Sequence, residues 1–321
     1  MGRGLVRAWL CSLLALVLLA CRVGLGTPAQ PLAQLPTRQS RLSQAHGAVF
    51  SPSQGSAPPA LPSCHIAHPA TPLPTRATNR HGTHPGPPAQ PSPAPWRTPV
   101  PILMYHYIRP MPGPTDPVGR DLTVTPAHFA QQLAYLASHG YHTITLKELS
   151  MARAHRYALP PHPVVLTFDD GYEDFYTTAW PLLRSRHFEA TVFVITALIG
   201  HRGYLTWDQI RQLDRTGMVE IGSHTVNHLD LTVLSPAAAR YQLVQSRREL
   251  ASRLGHSVDS FSYPGGRFNS RVVELVREAG YRSAVTTLYG WATPRSNPLA
   301  LPRVRLHGST TLSDLAHLLP R

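Results

Sequence analysis

A pair of adjacent acids follows an apolar run in the middle of the chain. The run VVLTF at Val164–Phe168 is typical of a buried strand, and Asp169, Asp170 and Gly171 follow it directly. Two like charges this close repel each other, and burial penalises both of them. Because Asp-Gly is also a favourable turn pair, two interpretations stay open at this point: a plain turn, and a catalytic or metal-binding site.

A pair of histidines follows a second predicted strand. His224 and His228 come after Val219–Gly222, and on a helical turn side chains four residues apart lie on one face. Two imidazoles and one carboxylate leave open positions on a metal ion, which is the arrangement of a catalytic site. If one acid binds the ion, its neighbour is free to take a proton from water that the ion acidifies. These ligand types favour Zn2+, and they also accept Co2+, Ni2+ or Mn2+.

The elements that must position these residues begin near Pro99. The sequence predicts short strands at 102–105, 143–145, 164–168, 191–195, 219–222, 260–263, 283–286 and 303–306. It predicts helices between them, at 126–138, 146–155, 172–186, 207–215, 236–254, 270–279 and 312–319. Such alternation indicates a mostly parallel sheet flanked by helices, and this many strands favour a barrel. In barrels the chemistry collects at the C-terminal ends of the strands, where both polar pairs are predicted.

The first 98 residues differ in composition from the rest of the chain. They contain no Asp or Glu and eight Arg, so they carry most of the net charge of +13. Dense Lys/Arg clusters with interleaved aromatic residues are absent from the sequence, which argues against a nucleic-acid-binding protein. The three cysteines are Cys11, Cys21 and Cys64. The C-terminal two thirds of the sequence therefore has neither a disulfide framework nor a cysteine zinc site.

The N-terminal residues are predicted to direct export. Arg3 and Arg7 precede a short apolar run at 9–21, which is typical of a secretory signal peptide, here predicted over residues 1–26. Leu18–Cys21 also resembles a bacterial lipobox, so the alternatives are a secreted protein and one anchored to the membrane through a lipidated Cys21. Residues 27–98 contain 16 Pro in 72 positions and are expected to form a disordered linker. The catalytic domain is predicted over residues 99–321.

Four motifs occur in a fixed order within this last domain. They are TFDDGY at 167–172, HTVNH at 224–228, FSYPGG at 261–266 and LPRVRLH at 301–307. Together they resemble the polysaccharide deacetylase family, the NodB-homology domain of carbohydrate esterase family four. The resemblance implies a distorted (β/α)7-type barrel that removes N-acetyl groups from amino-sugar polymers. By position it also implies that Asp169 is the catalytic base and that the metal ligands are Asp170, His224 and His228.

The later motifs imply further roles in the same site. Many family members carry, in the third motif, an Arg that orients the base, and this Arg is missing from the matching text at 262–266. The backbone N–H of Gly265 is expected to help hold the oxyanion, which needs no side chain. His307 is expected to be the general acid. Further candidates for the substrate pocket are His106, Tyr172 and Tyr263.

Two stretches indicate a subfamily. PILMYH at 101–106 and SYPGG at 262–266 together resemble extracellular deacetylases of poly-β-1,6-N-acetylglucosamine. The predicted function is a metal-dependent hydrolase, secreted or anchored in the cell envelope, that releases acetate from such an N-acetylated glycan. Peptidoglycan, chitin oligomers and a small amide are alternative substrates. An alternative from another class is a wall-polysaccharide-binding module with impaired chemistry, which the missing Arg favours and the complete set of ligands and base opposes.

Overall fold

The computed structural model describes residues 94–320. The predicted signal peptide, Cys21 and most of the predicted linker lie outside the described residues. The strands are β1 Ile102–Tyr105, β2 Tyr107–Ile108, β3 Thr123–Val124, β4 His142–Ile144, β5 Pro163–Phe168, β6 Ala190–Val194, β7 Val219–Ser223, β8 Ser260–Ser262, β9 Ser283–Tyr289 and β10 Leu301–Arg305. The α-helices are α1 Pro117–Leu122, α2 Pro126–Ser138, α3 Leu146–Arg153, α4 Trp180–Arg184, α5 Trp207–Arg215, α6 Pro236–Leu254, α7 Ser270–Glu278 and α8 Leu312–Leu318. Among these described helices, none is both long enough and apolar enough to span a membrane.

Seven parallel strands close into a barrel. The hydrogen-bonded order is β1-β10-β9-β8-β7-β6-β5, and β5 pairs back onto β1 with Tyr105 opposite Phe168. The strands alternate with helices that cover the outside of the ring. The predicted (β/α)7-type barrel is therefore confirmed.

Strand β5 explains why the barrel is distorted and why eight strands were predicted for a ring of seven. β1 occupies one edge of β5, with Ile102 opposite Val165. The other edge pairs first with β4, through Val164 and Thr143, and then with β6. β4 is therefore a true strand, but it lies outside the closed ring because β6 replaces it along the same edge.

The core has an inner and an outer layer because strand side chains alternate between the two faces. On β5, Leu166 packs toward the outer helices, whereas Val165 packs inside the barrel with Ile102 and Phe193. Helix α3 joins the inner cluster through Leu149. Burying each of these side chains contributes roughly 1.5–3 kcal/mol relative to exposure, so the ring is held rigidly beneath its C-terminal rim.

The predicted cap residues begin their helices. Thr125, Thr206 and Ser235 each accept a hydrogen bond from the backbone N–H three residues later, which satisfies a donor that the helix itself leaves free. The helix predicted over 172–186 differs from the expectation. It begins as a π-helical turn at Phe175–Ala179 and continues as α4, because Pro181 has no N–H to donate and perturbs the regular ladder before it.

Candidate metal centre

The two polar pairs meet at the C-terminal rim of the barrel. Asp170 follows β5, and His224 and His228 follow β7. One Asp170 oxygen, Oδ1, lies 3.4 Å from Nε2 of His224 and 3.6 Å from Nε2 of His228. Ligand atoms bound at about 2.0–2.1 Å to one tetrahedral ion stand roughly 3.3–3.4 Å apart. The three side chains therefore have the spacing that a shared cation requires.

The tautomer of His224 also suits a metal ligand. Its Nδ1 lies 2.7 Å from the carbonyl oxygen of Ser262, and because a carbonyl can only accept, Nδ1 carries the proton. The lone pair of Nε2 then points to the side of the ring where Asp170 lies. Metal-binding imidazoles are usually oriented by such a second hydrogen bond, so the donor set fits a divalent cation.

The loop that carries the two histidines is a tight turn and not a turn of helix, which corrects the sequence prediction. Thr225 and His228 both have positive φ angles, 69° and 56°, so the backbone cannot follow a right-handed helix. The side chain of Gln242 on α6 holds the loop by accepting hydrogen bonds from the N–H groups of Val226 and Asn227. The two imidazoles converge through this turn, with ring centroids 4.7 Å apart.

The loop after β5 is strained in the same way. Asp170 has a φ of 72°, which is uncommon for a residue with a side chain, and Gly171 has a φ of 73°. A Cβ atom at Gly171 would stand 2.9 Å from Cγ1 of Val194, so only glycine fits. Strain of this kind is retained where the surroundings fix a functional geometry.

Asp169 has a different partner from Asp170. It is buried, and Arg303 on β10 donates to both of its oxygens, at 2.9 and 2.7 Å. Arg303 is held in turn by the carbonyl of Thr286 and the hydroxyl of Thr167, at 2.8 and 3.1 Å. Arg303 thus makes the contact to Asp169 that the family resemblance led us to expect from an arginine in the third motif, so the absence of that arginine no longer argues for impaired chemistry.

The electrostatics keep both acids ionised. Burial raises the pKa of Asp169, but the charge and hydrogen bonds of Arg303 outweigh burial and hold that pKa well below its usual range. Burial likewise raises the pKa of Asp170, and contact with His224 brings it below its usual value. The two neighbouring carboxylates are therefore stabilised by different partners, Arg303 for Asp169 and His224 for Asp170. These partners offset the mutual repulsion expected of two adjacent buried acids.

The two other histidines that the sequence analysis assigned to the site, His106 and His307, occupy different surroundings. His106 follows β1, its Nδ1 is buried without a hydrogen-bond partner among residues 94–320, and burial lowers its pKa against the opposing charges of Asp169 and Asp170. His307 follows β10 and its Nδ1 lies 2.8 Å from Asp121. Both lie at the rim, but only His106 interacts electrostatically with Asp169 and Asp170.

The structure corrects the predicted role of Tyr263. Its ring is 0% exposed, and its hydroxyl donates to the carbonyl of Leu299 at 2.7 Å, so it has no free face for a sugar. Tyr172 is half-buried in an aromatic stack, with Tyr107 and Tyr204 at centroid distances of 3.8 and 5.2 Å. Its contact with substrate stays a prediction.

Gly265 lies in the short 3₁₀ turn at Pro264–Gly266 that follows β8. Its φ is 58°, and the space where a Cβ would stand holds nothing nearer than Cγ of Arg267 at 4.0 Å. The backbone is therefore open on that side. Its role toward an oxyanion stays a prediction.

Arg303 is the residue that sequence reasoning missed. Two arginines alternate with Val304 in β10, so both point to the same face, and Val304 packs in the outer cluster. Alternation therefore predicts that Arg303 and Arg305 face the barrel interior. A buried arginine needs an acid partner, and that requirement was the available signal.

Comparisons with known proteins agree with this geometry. The family described as polysaccharide deacetylase matches residues 156–284. The protein YxkH of Bacillus subtilis (strain 168) is 34% identical over 207 residues, which cover 64% of this chain and 71% of the relative. A Staphylococcus aureus (strain MSSA476) poly-beta-1,6-N-acetyl-D-glucosamine N-deacetylase is 27% identical over 198 residues, 58% of this chain and 68% of the relative.

A solved structure gives the same result for the fold. The Streptococcus pyogenes deacetylase PplD, in complex with acetate, superposes with a TM-score of 0.66 at 31% identity, over 70% of this chain and 100% of that one. The relative that is more than 30% identical over most of its own length, the family match and the barrel all lead to one conclusion. The chain belongs to the polysaccharide deacetylase family.

Proposed function

We propose that this deacetylase uses a divalent metal ion to remove N-acetyl groups from an extracellular poly-N-acetylglucosamine-like polysaccharide, releasing acetate. The observation that carries the proposal is the convergence of Asp170, His224 and His228 beside a carboxylate that Arg303 holds ionised. A binding module needs no such acid pair. Asp170, His224 and His228 suffice as ligands for an ion, so the neighbouring Asp169 remains available as a base.

When bound, a divalent cation supplies Lewis acidity toward the amide carbonyl and makes a water molecule more acidic. Asp169 accepts the proton as the water oxygen attacks the carbonyl carbon, and Arg303 fixes the direction of its oxygens. The backbone N–H of Gly265 donates to the developing oxyanion. The carbon–nitrogen bond then breaks, and the amine leaves with a proton supplied by the protein.

Two imidazoles compete for that last proton transfer. His307 is the donor that the family resemblance implies. His106 is the second candidate by position, because its ring lies near Asp169 and Asp170 and its Nδ1 has no internal partner among the described residues. Burial lowers its pKa, which disfavours the protonated form that a donor needs. Replacing each in turn by Gln separates them, because loss of the true donor lowers kcat with little change in KM, by about 10²–10⁴-fold.

The substrate class rests on relatives and on sequence. The Staphylococcus aureus relative is named for poly-beta-1,6-N-acetyl-D-glucosamine, and the stretches at 101–106 and 262–266 resemble the same branch. We further propose export by the signal peptide at 1–26, with Cys21 as a candidate lipid anchor, the linker at 27–98 and the catalytic domain at 99–321. Zn2+ is the proposed ion because two of three ligands are imidazoles, and Co2+, Ni2+ or Mn2+ are the alternatives.

Acetate release by the purified full-length protein tests the proposal. A β-1,6-linked N-acetylglucosamine pentamer, a chitin pentamer and peptidoglycan are offered in parallel, each with added Zn2+ and each with a chelator. We expect chelator-sensitive release that is fastest from the β-1,6 pentamer. Faster release from chitin or peptidoglycan would change the substrate, and no chelator-sensitive release from any of them would favour the binding module.

A further inference from the structure

A cavity of about 410 Å3 opens beside the Asp169–Arg303 pair, between β9, β10 and α8. Arg303 lines it, and the same side chain donates two hydrogen bonds to Asp169. The cavity therefore adjoins the reacting centre without containing the metal ligands. Its volume falls within the range of sites that hold small organic ligands.

An exposed aromatic ring stands at one wall of this cavity. Tyr289 ends β9, its residue is 71% exposed, and it is paired across the sheet with Arg303. Within residues 94–320 the ring joins none of the hydrophobic clusters and stacks on no other aromatic ring. A large ring left open to solvent beside polar groups suits the apolar face of a sugar.

A polar cluster forms the facing wall. Arg305 donates through Nη2 to Asp121, whose other oxygen lies 2.8 Å from Nδ1 of His307. The Nε–H of Arg305 is buried and has no hydrogen-bond partner among the described residues. Burial shields that N–H from the cavity, but the Arg305 side chain as a whole is 35% exposed, so the outer nitrogens of the guanidinium are the donors that reach the cavity.

Both arginines that line the cavity are neutralised within the protein. Arg303 is neutralised by Asp169, and Arg305 is neutralised by Asp121. The remaining acid, Asp314, accepts hydrogen bonds from Thr311 at the start of α8. A cavity with paired charges favours an uncharged ligand over an anionic or cationic one.

We propose that this cavity binds the sugar residue next to the one that loses its acetyl group. The pyranose ring lies on Tyr289, and an oxygen of that sugar accepts from the exposed outer part of the Arg305 guanidinium. The inference rests on the proposed function and adds to it the reason for preferring a polymer: a monosaccharide reaches the metal centre without filling this second position.

Chain-length dependence tests the proposal with the full-length protein. Acetate release is measured from N-acetylglucosamine and from its β-1,6-linked pentamer. Tyr289→Ala should raise KM for the pentamer by roughly threefold to tenfold, while kcat on the pentamer stays within about twofold. Arg305→Lys keeps the charge beside Asp121 but removes the forked guanidinium that could serve Asp121 and the sugar together, and should raise the same KM. Tyr289→Phe keeps the ring and should restore the pentamer KM.

Tyr241→Ala is the matched control, because Tyr241 is also well exposed, at 59%, but lies on α6 and outside the cavity lining. It should keep the wild-type ratio of pentamer to monomer kcat/KM. An unchanged ratio in both Tyr289→Ala and Arg305→Lys would overturn the sugar site, as would an equal loss on monomer and pentamer.

Direct binding separates this inference from the proposed function. Calorimetric titration of Asp169→Asn with the pentamer needs no turnover, and Tyr289→Ala on that background should weaken binding by a similar factor. If Tyr289→Ala weakens binding but the wild-type protein releases no acetate from the pentamer, the sugar site would be supported and the deacetylase assignment to this glycan would be wrong. Binding unaffected by Tyr289→Ala would overturn the sugar site whatever the activity.

Discussion

Two neighbouring carboxylates do different work because the strand end turns them toward different partners. Asp169 continues the extended path of β5 and meets Arg303, which is buried inside the barrel. Asp170 adopts a positive φ of 72°, which redirects its side chain to the two imidazoles. A change of backbone conformation between adjacent residues thus separates the proposed base from the proposed ligand, and each acid has its own partner to offset the charge of the other.

This division predicts different effects for single substitutions at the rim. Asp169→Asn keeps the size of the side chain and all three ligands, so turnover should fall by about 10³-fold or more while Zn2+ still binds. His224→Ala removes a ligand, so both turnover and Zn2+ binding should be lost. Acetate release and equilibrium metal titration measure the two effects. Near-normal turnover in Asp169→Asn would contradict the assignment of the base.

Arg303 should also matter to stability. Arg303→Met leaves the Asp169 carboxylate buried without its partner, and breaking a buried ion pair in this way costs about 3–5 kcal/mol. Replacing both residues, as Asp169→Leu with Arg303→Met, removes the unpaired charge and should recover most of that loss. Urea unfolding followed by circular dichroism gives the free energies. Equal stability of the single and double variants would show that the pair is not coupled.

At the scale of elements, the rim works because loops with unusual backbone angles are fixed from below. The turn at Thr225 to His228 has two positive φ angles, and Gln242 on α6 satisfies two of its N–H groups through one side-chain oxygen. Gln242 is buried, so water cannot easily replace it. Helix α6 therefore positions a loop that carries proposed metal ligands, although none of them lies on the helix itself.

Removing this support should weaken metal binding. Gln242→Leu leaves two N–H groups of the loop without their acceptor and should lower the affinity for Zn2+ by about 10–100-fold, with a loss of stability of about 1–3 kcal/mol. Gln245→Leu is the control, since Gln245 lies on the same helix but is exposed. Competition with a chromogenic chelator measures the affinities. Equal Zn2+ affinity in both variants would mean that the turn keeps its conformation without the side chain of Gln242.

The sequence predicted most elements of the barrel, and it singled out the three residues that the structure brings together as a possible metal site. Strong periodicity and cap residues such as Thr206 and Ser235 placed α5 and α6 at their observed bounds. It did not predict the distortion at β5, because the choice between β4 and β6 as edge partner depends on register in three dimensions. Tyr263 was assigned to the substrate because burial of a ring depends on what packs against it, which a single sequence does not state.

For the molecule as a whole, the proposed metal site and a carboxyl with a raised pKa lie at opposite ends of the barrel. The proposed metal ligands follow strand C-termini, whereas Glu189 precedes β6, near Glu148 of α3 at the N-terminal end of the strands. The N–H of Glu189 donates to the hydroxyl of Thr143 at 2.7 Å. Burial, with further contributions from the Glu148 carboxylate, raises the pKa of Glu189 to about 8. This carboxyl is therefore expected to titrate near neutral pH, independently of the acids at the rim.

That shift predicts how stability changes with pH. The folded-state pKa of Glu189 lies above its ordinary value of 4.5, so the folded protein binds the proton more tightly than the unfolded chain. The contribution is fully present below about pH 4.5 and is lost as the pH rises through about 8. Glu189→Gln stays uncharged and should lose less stability than the wild type between about pH 5 and pH 9.

Urea unfolding midpoints measured across that pH range test the prediction. The control Glu278→Gln, on the exposed side of α7, should show the same change of midpoint with pH as the wild type. If the midpoint of Glu189→Gln also changes with pH as in the wild type, Glu189 is not the group that binds the extra proton in the folded protein. A flatter dependence on pH in Glu189→Gln alone would show that this carboxyl contributes to the loss of stability as the pH rises.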